Sequence, residues 1–494
     1  MKRSVYLIML VAFLLRFGLG ATAASLLPRV GYESKPQQAG YLFFDAYRRD
    51  TQAWNLAQSS KPLSRAFDDK FSSDQYGGLL WVSAFVYRYI SAGTHQPLLV
   101  VFLAALAGSL GVLFVFLAAK RLANKTGLVP AQNTSNWQWD DKAALLCALI
   151  FAFYPESILL GAAQMREPFL MTFIAMAFYG LTEWLATRQK APWFWIVFSL
   201  AGMLLVSPGF VVVTLIASAG WLYFAGSPAE TQPEHKIPWQ VIAGALGLFV
   251  LALIILTTSW NSLVAVRGGG LFGVIGSWAR ETTRWNAYLL GRSSGIVQLL
   301  FQALPPILAL PFVAIYGILQ PVLPAVLLEP GVPFWQILGI FRAVGWYLLL
   351  PLVAFAPAAA WSLPTSQRRR QWIWLCLVVW GWIFIAALRG GGDQWDNPRY
   401  RVILLVWMAM LAVLAFKQIK VGRWFWRICV VEAIILLVFG HWYSWRYLGF
   451  GFNLGIRNTL VIAIGLSVLV VLADWLWYNA PFKLAEKFKP SSRL

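Results

Sequence analysis

Between Val5 and Tyr478 the sequence returns repeatedly to apolar runs of eighteen or more residues, each long enough to cross a hydrocarbon core of roughly 30 Å as a helix. Hydrophobic residues make up 59% of the 494 and charged residues 12%, whereas a soluble domain carries about a quarter charged residues. A water-facing surface cannot be built from this chain, so the bilayer is its solvent. The expected fold is an all-α polytopic membrane protein with about twelve crossings, at residues 5–27, 98–119, 143–162, 168–187, 192–207, 208–225, 238–258, 335–361, 372–389, 401–417, 426–443 and 458–478.

The net charge of +20 would suggest nucleic acid in a soluble protein. Here the cations stand in short clusters between apolar runs, where they set orientation, and nucleic acid is rejected as a partner. With the N-terminus inside, the cytoplasmic segments hold Lys120, Arg121 and Lys125, the run Arg368–Arg370, the cluster Lys417, Lys420, Arg423 and Arg427, and a basic tail over 479–494. That is about half of all Lys and Arg, as the positive-inside bias requires. Both termini are then cytoplasmic, and the membrane is the plasma (inner) membrane. Residues 1–27 also fit a cleavable signal peptide ending near Ala21–Ala24, but Arg16 in mid-stretch favours a retained first span. Either way residue 28 emerges on the outer side.

Two segments set the count. Residues 76–92 are apolar but interrupted by Tyr87, Arg88 and Tyr89, and are read as an amphipathic helix on the membrane surface. Residues 299–328 carry Pro305, Pro306, Pro311, Pro321 and Pro324, and are read as a re-entrant or surface-lying segment packed against protein. The whole chain, 1–494, then forms one transmembrane domain. Its outer face holds a first loop with juxtamembrane helices at 28–97 and a second outer loop with the re-entrant segment at 259–334.

Three outer clusters carry the residues capable of chemistry. The first runs from Tyr41 to Ala57 and mixes Asp45, Arg48, Arg49, Asp50 and Trp54. Composition alone favours a solvated juxtamembrane helix with aromatic anchors; the chemical reading is a general base. The second is Gln164-Met165-Arg166-Glu167-Pro168, read either as an ion pair snorkelling to the interface or as Arg166 facing a cavity that receives an anion. The third is Gly390 to Arg401, where Arg399 and Arg401 hold a phosphate or form interfacial anchors on a flexible turn. Arg16, deep in the first span, and Arg342 should face the bundle interior, a wet cavity or a partner. Cys147, Cys376 and Cys429 all lie in apolar runs, so no disulfide framework is available. No H-E-x-x-H or D-x-D pattern is present among the scattered His95, His235 and His441. A divalent metal stays open, because carboxylates alone can hold Mg or Mn.

Taken in order, these motifs resemble the GT-C class of glycosyltransferases, the superfamily of protein mannosyltransferases and lipid A aminoarabinose transferases. The resemblance rests on an Asp in the loop after the first span (Asp50, in Arg49-Asp50-Thr51-Gln52-Ala53-Trp54), on Tyr154-Pro155 and Arg166-Glu167-Pro168, and on Arg399-Tyr400-Arg401 before a late span. It implies a hexosyl- or pentosyltransferase of the cell envelope. Such an enzyme moves a sugar, with inversion, from a polyprenyl-phosphate donor to a glycan, lipid or protein acceptor at the outer face. By carry-over Asp50 is the general base, while Arg166, Arg399 and Arg401 stabilise the departing phosphate; Asp45, Glu167 and Tyr400 complete the substrate-binding set. The sequence departs from the pattern at Thr51, where some members have a second acid, and at Ser73–Gly78, where many have a proline-rich entry. Asp45 is the substitute for the missing acid. A lipid-linked glycan polymerase or ligase is the nearest alternative, and a twelve-span transporter the alternative outside enzymology.

Overall fold

A computed structural model describes residues 2–68, 77–124, 141–225, 305–420 and 423–479. Every regular element among them is helical, and the chain is an all-α polytopic membrane protein. In order the helices are α1 (Lys2–Val30), α2 (Lys35–Gln38), α3 (Phe44–Gln58), α4 (Gly78–Phe85, running on as a π-helical turn to Ile90), α5 (Pro97–Asn124), α6 (Asp141–Phe153), α7 (Pro155–Gly161), α8 (Glu167–Thr187), α9 (Trp193–Val206) and α10 (Pro208–Ala225). There follow α11 (Pro306–Leu319), α12 (Leu323–Leu328), α13 (Pro333–Trp361), α14 (Ser366–Gly390), α15 (Asp396–Arg401), α16 (Leu405–Lys417), α17 (Trp424–Leu448) and α18 (Gly455–Asn479). Prolines open α5, α7, α10, α11 and α13, where the missing N–H is one that the first turn leaves unpaired in any case.

Nine described helices are long and apolar enough to cross a membrane, and the bent pair α6–α7 makes ten. The two further crossings expected from sequence are 192–207 and 238–258. The first is present as α9, whose 14 residues reach only about 21 Å at 1.5 Å per residue. The second lies outside the described residues. The π-ended helix at 78–90 is likewise too short to cross, and so are α11 and α12, which break at Gln320–Pro321.

The α6–α7 pair bends by 53° at Tyr154-Pro155, because proline removes one helical hydrogen bond and its ring crowds the preceding turn. Arg16 fills the break. Fully buried, it donates to Ala12 O at 3.0 Å, Phe151 O at 3.4 Å and Ser157 Oγ at 2.6 Å. Gly161 makes room for it: a Cβ there would stand 2.6 Å from Arg16 Cδ. The guanidinium thus faces the bundle interior, as its cost in hydrocarbon requires.

The strand of helix from Asp396 to Lys417 is the centre of the bundle, with 83% of its apolar window buried, whereas α17 and α18 have 0% and 11%. A helix apolar on every side must be enclosed by protein or by lipid, and these two cases occur side by side in one chain. Helix ends sort onto two faces. At one end Arg121 pairs with Glu183, and Lys120 with Asp141 at 3.3 Å. At the other end Asp45, Glu167 and Arg399 meet.

Candidate functional site

The site is built on four pieces of chain: α3, the turn before α8, the break at α7 and the turn before α15. Asp45 lies in the first turn of α3, where the helix dipole favours a carboxylate. Glu167 and Pro168 open α8. Asp393 Oδ1 accepts from the backbone N–H of Trp395 at 2.6 Å and Asp396 at 2.7 Å, a side-chain turn that starts α15. Asn397 Nδ2 donates to Gly391 O, and Gln320 Nε2 to Gly392 O at 3.0 Å, so the glycine-rich turn is fastened at both ends.

Arg399 is the hub. Its Nε donates to Glu167 Oε1 at 2.6 Å and its Nη1 to Asp45 Oδ2 at 2.6 Å, with Asp396 Oδ1 at 3.8 Å. Arg166 approaches Glu167 at 3.8 Å. Arg166 Nε and Glu167 Oε2 are both buried without a hydrogen-bond partner. The Asp45 side chain is 42% exposed. Partial burial raises its carboxyl, but Arg399, by charge and hydrogen bond, and the more distant Arg49 and Arg166 outweigh this and hold it below the ordinary 3.8.

A second group surrounds Asp50, five residues along α3 and 1% exposed. Tyr41 Oη donates to Oδ2 at 2.6 Å and Tyr87 Oη donates to Oδ1. His95 Nε2 lies 2.6 Å from Oδ2. Burial first, and then the neighbouring Asp50 charge, push the Tyr41 phenol far up, so it stays a donor. A cavity of about 130 Å³ beside Tyr41 is lined by Gly20, Ala24, Gly40, Pro97 and Gln164 among others.

The structure therefore brings Asp45, Arg166, Glu167 and Arg399 together, sets Tyr400 under Arg399 at 5.7 Å, and places Asp50 in a neighbouring group. Arg401 is elsewhere. It donates to Ile318 O at 3.1 Å and Gln320 O at 2.9 Å and lies 3.4 Å over the Trp346 ring. Two residues beyond Arg399 means about 200° around the helix, which turns Arg401 away from the acidic cluster and onto the α11–α12 break. The expectation that it joins Arg399 in holding a phosphate gives way to a clamp.

Sequence reasoning passed over His95, Tyr41 and Glu156 as site residues. Glu156 pairs with Arg342 through two contacts, Nε–Oε2 at 2.7 Å and Nη2–Oε1 at 3.2 Å, with both side chains 2% exposed. Arg342 also donates to Gln394 O at 2.9 Å and lies 4.2 Å over the Trp395 ring, so the pair holds the turn that carries Arg399. The available signal for His95 was its place in the loop just past the short apolar helix at 78–90. Among the described residues no three of His, Cys, Asp and Glu converge as metal ligands. Both Asp50 oxygens are engaged, Oδ1 by Tyr87 and Oδ2 by Tyr41 and His95.

Fold and site together define a polytopic helical membrane protein with Asp45, Arg166, Glu167 and Arg399 gathered at one end of the bundle. No family model and no curated protein matches the sequence. Among solved structures it is similar to the archaeal oligosaccharyltransferase AglB from Archaeoglobus fulgidus, in complex with an inhibitory peptide and a dolichol-phosphate, at 15% identity and a TM-score of 0.37. The match covers 96% of this chain and 54% of that one, so the chain spans about half the length of that structure. At that score the likeness carries no weight for the site or its chemistry.

Proposed function

We propose that this chain is an inverting glycosyltransferase that moves a sugar from a polyprenyl-phosphate donor to a hydroxyl of a glycan, lipid or protein at the outer face of the plasma membrane. The supporting observation is the meeting of Arg166 and Arg399 with Asp45 and Glu167 at the bundle end opposite Lys120 and Arg121. Short basic loops tend to face the cytoplasm, which supports an outward-facing acidic end. Nucleotide sugars are cytoplasmic, so a transferase working outside draws its donor from the membrane.

In this reading the donor phosphate is received by Arg166, which among the described residues makes only a long 3.8 Å ion pair with Glu167, and by Arg399, held in place by its two carboxylates. Such charge-assisted bonds strengthen as negative charge collects on the leaving phosphate. Asp50 heads the hydrogen-bonded group that accepts the acceptor's proton.

The test has two parts. Mass spectrometry of glycans and glycolipids from cells lacking the chain should show a sugar missing, restored by the wild type and not by Arg399→Ala. An impermeant thiol reagent should label Lys61→Cys from outside and leave Gln189→Cys untouched. An unchanged glycan profile, or both cysteines labelled from one side, rules the reading out.

A further inference from the structure

Asp50 is built to serve another group rather than to meet a substrate. At 1% exposure, with both oxygens taken by Tyr41, Tyr87 and His95, its carboxylate has no free edge for an incoming hydroxyl, and a general base must come within hydrogen-bond reach of the proton it takes. His95 differs. Its side chain is 37% exposed, its ring stacks on Trp54 at 4.9 Å with an interplanar angle of 24°, and Tyr87 stands edge-on at 5.3 Å. Two aromatic rings and one carboxylate therefore fix the imidazole while its outer edge stays accessible. Among the described residues Nε2 alone of its two nitrogens is bonded.

We propose that His95 is the catalytic base of the sugar transfer and Asp50 its positioning residue, an assignment that rests on the function proposed above. As a carboxylate Asp50 accepts from Nε2–H, which leaves the lone pair on Nδ1 directed at the acceptor. A base oriented by a third group is the general arrangement for activating a hydroxyl. The acceptor oxygen bonds to the anomeric carbon, the bond from that carbon to the phosphate oxygen breaks with its electron pair on the phosphate, and the hydroxyl proton passes to Nδ1. Asp50 then faces an imidazolium, whose charge it balances.

Placement favours His95 over Asp45. Inversion requires the nucleophile and the leaving group on opposite faces of the anomeric carbon, so the base must stand apart from the groups that hold the phosphate. Asp45, 2.6 Å from Arg399, belongs to the phosphate side. Asp50 lies five residues on, about 7.5 Å along the axis of α3, and directs His95 from there.

The experiment compares His95→Asn, His95→Gln, Asp50→Asn and Asp45→Asn in the full-length chain. Each is measured for stabilisation by undecaprenyl phosphate after reconstitution in liposomes, and for product formed in cells that lack the native copy. Both His95 variants should bind undecaprenyl phosphate as the wild type does, which also reports the fold, and lose product by about 10²–10⁴-fold. Asp50→Asn should keep binding and lose rate. Asp45→Asn should weaken binding. His95 variants that stay within about threefold of wild-type product, far short of the loss of a general base, overturn the assignment, as does binding lost in parallel with product. A wild type that neither binds undecaprenyl phosphate nor makes product overturns the underlying reading itself, and is told apart by failing before any variant is compared.

Discussion

The Arg342–Glu156 pair can be removed in two ways that the structure says will differ sharply. Each side chain is 2% exposed, and the two share a pair of contacts at 2.7 and 3.2 Å. Arg342→Met alone strands the Glu156 carboxylate in a dry site and leaves Gln394 O without its donor; breaking such a pair costs about 3–5 kcal/mol. Glu156→Leu alone strands the guanidinium at a similar cost. Making both changes together removes both charges, and replacing a buried pair by apolar groups of like volume is close to neutral. The double variant should therefore recover most of either loss, short of about 1–3 kcal/mol for the unpaired Gln394 carbonyl. Denaturant unfolding in detergent micelles, followed by tryptophan fluorescence, reads this directly. A double variant as unstable as the sum of the singles would refute the reasoning, because additive losses mean that the two side chains are not coupled at all.

Two further expectations concern neighbouring groups. Asp45 has its carboxyl held below 3.8 in the folded chain; such a group stabilises above its unfolded value and loses that contribution as pH falls through the folded one. Stability of the wild type should thus drop more steeply below pH 3.8 than that of Asp45→Asn, and parallel curves would exclude the Asp45–Arg399 coupling. Arg401→Ala removes two charge-assisted bonds, worth about 1.5–3 kcal/mol each, from Ile318 O and Gln320 O. Hydrogen exchange should accelerate across 306–328 and stay unchanged in α5; uniform protection in both would show that Arg401 holds nothing there.

The apolar crossings were legible because hydrophobic length is a local property, and the same holds for Arg16, whose depth in the first span demanded an interior partner. The short helix at 78–90 and the broken α11–α12 coincide with the interrupting tyrosines and prolines. The site was only half legible. Arg399 and Asp45 are 354 residues apart, and the sequence offers both arginines of Arg399-Tyr400-Arg401 on equal terms; the direction of each is set by helix rotation and by what the neighbouring turn presents. Asp50 was singled out as the reacting group, yet what surrounds it comes from Tyr41, Tyr87 and His95, and the π-helical turn that carries Tyr87 left no mark in the residue pattern.

The enclosed centre and the bare C-terminal hairpin also divide the work of living in a bilayer that changes thickness. Helices respond to mismatch by tilting, at a cost of fractions of a kcal/mol per ångström, and α17 and α18, buried over 0% and 11% of their apolar windows, have mostly lipid to push aside. The run from Asp396 to Lys417 cannot lean without moving every neighbour. Arg399 is therefore expected to keep its place in the bundle while the periphery absorbs the strain.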